Sequence, residues 1–292
     1  MNSISILAFH FYLTLSPMPE HRFSDSLKRI RNALPISLTR LGEVKDLSQN
    51  ALVKTMPVQP LLALNMRNVN QLFPGFALGD FAVIHGSTSV LSLSSLLCVR
   101  AQLPTQLGGL GSNIIFVDGG NTFRLYQVAR LAQLHKLNPK EALERIYISR
   151  AFTAYQMTSL IMEKLKENIE KYAAKVAIIS DIAGFFLDKD VPDEEARNVF
   201  SQVIAYLQKF AKENKVILIA TYPPHQETRR NSFLHTLTCG RTNVVISLRQ
   251  TRYDREFVLE KHPRYVLGSA EFPSENLTLT EFIEGFSNGQ NR

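Results

Sequence analysis

Three places in this chain carry residue types that could handle phosphate or a metal ion. The first follows the apolar run Phe81 to Ile84, where Gly86 precedes small polar residues and an apolar helical pattern, FAVIHGSTSVLSLSSLLCVRAQLP. Strand, glycine turn and helix form the layout of a phosphate-binding loop. There, glycine N–H groups wrap the phosphates, a lysine reaches the β and γ phosphates and a hydroxyl holds magnesium. The pattern G-x-x-x-x-G-K-[ST] itself is absent. Aligned without gaps from Gly86, its second glycine is Leu91, its lysine Ser92 and its hydroxyl residue Leu93; with a loop two residues shorter, the lysine falls on Val90 and the hydroxyl on Leu91. No Lys or Arg lies between Arg67 and Arg100, so neither register supplies the cation. An ordinary strand, turn and helix would read the same way.

The second place is a pair of carboxylates, Asp118 and Asp181, each closing an apolar run: NIIFVD (113 to 118) and KVAIISD (175 to 181). Asp181 could hold magnesium through water or serve only as a local cap. Asp118 opens an Asp-Gly-Gly-Asn stretch whose turn chemistry needs no metal. The third is a basic segment: from Arg229 to Arg264 there are eight Arg/Lys against three Asp/Glu. Arg229, Arg230, Arg241, Arg249, Arg252 and Arg255 could contact nucleic-acid phosphates, giving sequence-independent, salt-sensitive binding. A solvated basic face explains the same charge run.

The elements that must position these residues alternate. Phe81 to Ile84, NIIFVD, KVAIISD and KVILIAT (215 to 221) are short apolar runs of the kind buried on both faces of a parallel sheet. Ala196, Val199, Phe200, Val203, Ile204, Leu207, Phe210 and Ala211 recur at helical spacing after an acidic start at Pro192. A second helix is predicted over 153 to 174, with Met157, Ile161, Leu165 and Ile169 in one stripe, and a third carries Leu125, Val128, Ala129 and Ala132. Alternation predicts an α/β three-layer sandwich with a mainly parallel sheet, and any ligand site beyond the carboxyl ends of the strands. Gly86, Asp118 and Asp181 all fall at that end. TNVVISLRQ, REFVLEK and RYVLG predict a C-terminal antiparallel extension.

With 292 residues and 45% apolar content the chain can build a substantial core. The predicted organisation is a basic, helical segment at 1–56, N-capped at Ser24 or Asp25, followed by one domain at 57–292. Cys98 and Cys239 make no metal-ligand spacing with each other, so no disulfide framework and no metal site is expected. The run ISILAFHFYLTL is too short to span a bilayer and lacks the flanks of a signal. It reads as a packed element or as an extension upstream of Met18, outside the native protein. A soluble cytoplasmic protein is expected.

Motifs in series carry a resemblance. Gln102-Leu103-Pro104 follows the helix, Asp118 to Arg124 reads DGGNTFR, Leu137 to Gln156 reads LNPKEALERIYISRAFTAYQ, and a long apolar strand ends at Asp181. In this order, residues 57 to 272 resemble the ATPase core of the RecA/RadA recombinase superfamily, closest to archaeal RadA and its paralogs. The resemblance implies a RecA-like nucleoside-triphosphatase fold and a role in DNA recombination, repair or replication. It makes Gly86, Ser92, Asp118, Gly120 and Asp181 relic positions of the nucleotide site. The family's D-T-E-G-T-F-R places its general-base glutamate where Gly120 stands, and a glycine cannot accept a proton from water. The family's T-N-Q appears as Thr221-Tyr222-Pro223, without the amide that senses the γ phosphate. Neither a helix-hairpin-helix signature nor the F-x-x-A polymerisation phrase precedes residue 56.

The implied protein is a non-catalytic paralog with no ATP or magnesium cofactor. Its implied partners are an active RadA-like ATPase or another repair or replication protein, and DNA held through the basic C-terminal region, in the cytoplasm or at the nucleoid. Two other readings remain: a divergent ATPase that borrows a cation from another chain, and a protein adaptor that never touches DNA.

Overall fold

The computed structural model describes residues 59–250 and 255–272. The helix expected before residue 56, the run ISILAFHFYLTL and Arg252 lie outside the described residues. A two-stranded antiparallel ribbon, β1 (Leu61–Leu62) with β2 (Phe76–Ala77), encloses the short helix α1 (Arg67–Leu72). The main sheet is built from β3 (Phe81–Gly86), β4 (Asn113–Asp118), β5 (Ile146–Arg150), β6 (Ala174–Ser180), β7 (Ile217–Tyr222), β8 (Val244–Gln250), β9 (Arg255–Lys261) and β10 (Gly268–Glu271). Its order is β10-β9-β8-β3-β7-β6-β4-β5. From β8 to β5 every pairing is parallel, and β9 and β10 add antiparallel.

The parallel strands read as continuous apolar runs because both faces are covered. Along β3, Ala82 and Ile84 enter one core while Phe81 and Val83 enter the other; Ile114 and Phe116 of β4 divide from Ile115 and Val117 in the same way. The first core is completed by α2 (Ser89–Arg100), α3 (Leu125–Leu134) and α4 (Pro139–Glu144). The second is completed by α5 (Ala154–Ser159), α6 (Leu165–Lys171), α7 (Asp193–Asn214) and α8 (Arg229–Arg241). This is the expected three-layer sandwich. Helix α7 begins after Pro192 with Asp193, Glu194 and Glu195 in its first turn, where the partial positive charge of the helix terminus favours carboxylates.

Three local expectations differ from the structure. The helix over 153 to 174 is interrupted: α5 and α6 are joined by a π turn, Leu160–Lys164. Met157, Ile161, Leu165 and Ile169 are nevertheless all buried. Their uniform spacing of four overshoots a 3.6-residue turn by about 40° per step, and the wider π turn takes up part of that drift. Leu125 is 49% exposed instead of buried, because it opens α3 ahead of the packed stripe Val128, Leu131 and Ala132. The last strand is GSAE rather than RYVLG; it pairs β9 through Gly268↔Leu259 to Glu271↔Glu256, and Val266 and Leu267 stay exposed before it. Strand β5 lies hidden in the phrase IYISR. As an edge strand with alternating burial, it lacks the continuous apolar signature of its neighbours.

Among the described residues no helix is long and apolar enough to cross a membrane.

Candidate functional site

Gly86 ends β3 with φ +107, and a Cβ there would lie 2.4 Å from the carbonyl oxygen of Leu248 on the adjacent strand. Glycine is therefore demanded by strand packing alone. Only Ser87 and Thr88 separate it from α2, so the helix starts where the shortened register places it. Val90 is fully buried in the first turn, and Ser92 stands in the second rather than at the helix start. Four amides of this turn already have acceptors. Ser87 N–H donates to Leu248 O (2.7 Å), Ser89 N–H to Ser87 Oγ (3.4 Å), Val90 N–H to Ser87 O (3.2 Å) and Leu91 N–H to Thr88 O (3.1 Å). A phosphate cradle needs such N–H groups turned outward.

Asp118 is wholly buried. Its Oδ1 accepts from the Thr122 N–H (2.7 Å) and hydroxyl (3.1 Å), and its Oδ2 meets the Arg150 guanidinium at 3.2 Å and the Phe123 N–H at 3.4 Å. The Thr122 and Ser180 hydroxyls are also hydrogen-bonded. These contacts close the Asp-Gly-Gly-Asn turn and tie β4 to β5. Asp181, at φ +48, accepts from the Gly184 N–H (3.1 Å) and contacts His225 Nε2 (2.8 Å), while its own N–H donates to Thr221 Oγ1 (2.9 Å). A Cβ on Gly120 would meet Asp181 Oδ2 and Thr122 Cγ2, each at 3.1 Å. The floor between β4 and β6 is filled by Asp181 itself.

Of the six arginines, the five that lie among the described residues do not form one surface. Helix α8 runs back from the carboxyl end of β7 to the amino end of β8. Exposed Arg229 therefore lies at the end of the sheet that carries Gly86, and exposed Arg241 at the opposite end. Arg230 is held within the fold: it pairs with Asp193 (2.5 Å) and donates to the carbonyls of Phe186 (3.2 Å) and Asp188 (2.7 Å), which removes it from the expected DNA ligands. Arg249 pairs with Glu260 at 3.0 Å. Arg255 is half-buried and stands opposite Gln250 in the β8–β9 register, and its Nη1 has no hydrogen-bond partner among the described residues.

A cleft of about 270 Å³ between the ends of β3 and β7 and the start of α8 is lined chiefly by Tyr222 and by four residues that the motifs do not include, His85, His225, Asn231 and His235. Burial, reinforced by the Asp181 charge, holds the Tyr222 phenol well above its usual range. It therefore stays protonated and donates to Asn231 Oδ1 at 2.6 Å. Desolvation lowers the basicity of the His235 imidazole, and the facing His85 acts in the same direction. His85 lies 150 residues before His235, so no local spacing joins it to the other histidines.

Comparison with known proteins matches residues 72–229 to the Rad51 family model. The matched stretch runs from α1 to the first residue of α8 and is narrower than the resemblance read over 57 to 272. The meiotic recombination protein DMC1/LIM15 homologs of Mus musculus and Homo sapiens are each 32% identical over 149 residues. Each match covers 50% of this chain but 42% of the relative, less than half of its length.

Proposed function

This chain belongs to the Rad51 family, and from that premise we propose that it acts in DNA recombination and repair as an accessory member that does not hydrolyse ATP itself. The observation that carries this reading is the turn after Gly86. Its Ser87, Ser89, Val90 and Leu91 N–H groups are taken by protein acceptors, Val90 fills the helix's first turn with a buried methyl pair, and no lysine or arginine lies between Arg67 and Arg100. Gly120 reinforces it, since a glycine cannot take a proton from an attacking water and its neighbouring space holds Asp181. Docking on another protein, an ATPase-active relative being the natural candidate, is supported by apolar side chains left exposed near the open β5 edge: Ile148, Phe152 and Tyr155. The test is calorimetric titration of the full-length chain with Mg-ATP, alone and mixed with an active recombinase of the family. The expected result is no heat up to millimolar nucleotide from the chain alone. Saturable binding, or hydrolysis abolished by Asp181→Ala, would overturn the reading in favour of a divergent ATPase.

DNA contact is a second element of the proposal, supported by Arg229 and Arg249 on the Gly86 end of the sheet. Arg229→Glu and Arg249→Glu are each expected to weaken binding to DNA of any sequence and to lower the slope of log K against log[salt] by about 1. Arg241→Glu, at the far end, is expected to leave both unchanged. Fluorescence anisotropy across a salt series reads this, and equal effects from all three would refute the assignment. No binding at low salt would leave the adaptor reading in its place.

A further inference from the structure

Two side chains beside the cleft that carry metal-binding chemistry, His235 and Cys239, lie beyond the residues matched to the family. His235 and Cys239 stand four apart on α8 and so share one face. Opposite them, at the carboxyl end of β3, is His85. The Nε2 of His235 lies 3.2 Å from Nδ1 of His85 and 3.7 Å from Sγ of Cys239, and one donor atom from each residue lies within 4.8 Å of the others. Zinc–nitrogen bonds of about 2.0–2.1 Å and a zinc–sulfur bond of about 2.3 Å, at tetrahedral angles, place donor atoms roughly 3.3–3.6 Å apart. Two of the three separations are already within a few tenths of an ångström of that range.

The surroundings match a metal-binding imidazole. Nε2 of His85 faces Glu260 Oε2 at 2.9 Å, and the other Glu260 oxygen accepts from Arg249 at 3.0 Å. A carboxylate holding the outer nitrogen fixes the ring and presents the inner one as a lone pair. With His85 protonated on Nε2, its Nδ1 can accept a hydrogen bond from the His235 N–H or donate its lone pair to a cation. The ligand set is borderline to soft, which suits zinc and not magnesium or calcium. Cys239 lies far in sequence from Cys98, so cysteine spacing gives no hint of the site; the relevant spacing is His235 to Cys239.

We propose that His85 Nδ1, His235 Nε2 and Cys239 Sγ form a three-ligand site for a zinc-class divalent ion, with Glu260 as its outer carboxylate. His85 and His235 also line the cleft, so the fourth coordination position opens there, to a water or to an oxygen ligand occupying the cleft. Binding exchanges the Cys239 S–H bond for a sulfur–metal bond and releases that proton to solvent, while the His235 proton moves to its outer nitrogen.

The probe is Co²⁺ titrated into chelator-treated full-length protein. The expected result is one equivalent bound, with a near-ultraviolet thiolate-to-cobalt band and visible bands of four-coordinate cobalt, all displaced by Zn²⁺. Cys239→Ser is expected to abolish the thiolate band. Glu260→Gln is expected to keep the band while weakening binding about 10–100-fold. No saturable band at millimolar Co²⁺, or an unchanged band in Cys239→Ser, would overturn the site. Should that variant fail to fold, nitrogen-detected imidazole spectra of the unaltered protein decide. Two of the seven histidines are expected to shift on adding Zn²⁺, and none shifting would refute the proposal. These readouts report metal occupancy and stand or fall independently of nucleotide binding.

Discussion

Val90→Lys is expected to destabilise the protein by more than about 4 kcal/mol, a large share of the roughly 5–15 kcal/mol that holds a domain folded. The residue is fully buried in the first turn of α2, packed in the core that also takes Ala82, Ile84 and Leu93. A lysine there must either bury its ammonium without a partner or distort the helix start. In an active phosphate-binding loop the same substitution would restore the phosphate ligand. Urea denaturation of the variant, with Mg-ATP titration at concentrations where it remains folded, separates the two. A midpoint close to the unsubstituted protein together with new ATP binding would show that the turn is still a nucleotide site.

Asp118→Ala is expected to cost about 2–4 kcal/mol, since it orphans the N–H groups of Thr122 and Phe123 and removes the Arg150 contact. The range is discounted because Arg150 is 41% exposed and water can re-solvate its guanidinium. Asp181→Ala should cost less, about 1 kcal/mol, because Asp181 is partly exposed and loses only the Gly184 N–H and His225 contacts. If the two carboxylates survived as a metal pair, their removal would instead matter mainly in the presence of magnesium. Denaturation with and without Mg²⁺ distinguishes these cases, and a magnesium-dependent difference for either variant would contradict the structural role.

Much of the architecture was legible along the chain. The strands β3, β4, β6 and β7 announce themselves because burial on both faces forces continuous apolar runs, and α7 does so through its acidic start and 3.6-residue period. Strand β5 and the last strand were harder to read, since edge strands keep one side wet and lose that signature. The turn character of Asp118 was legible too, from the Gly-Gly-Asn that follows it. Its Arg150 partner was not, because that contact depends on β4 lying beside β5.

The sequence by itself determined the fold, the family and the lack of any lysine or arginine between Arg67 and Arg100, because apolar period, turn residues, motif order and charge placement are local properties of the chain. Tertiary structure alone decided the rest. The need for glycine at residue 86 is set by Leu248, the neutralisation of Arg230 by Asp193, the crowding at Gly120 by Asp181, and the convergence of His85 with His235 and Cys239 by the packing of α8 against β3. Each partner lies tens to more than a hundred residues away. A contact of that kind exists only once the sheet has set its strand order, and no spacing along the chain encodes it.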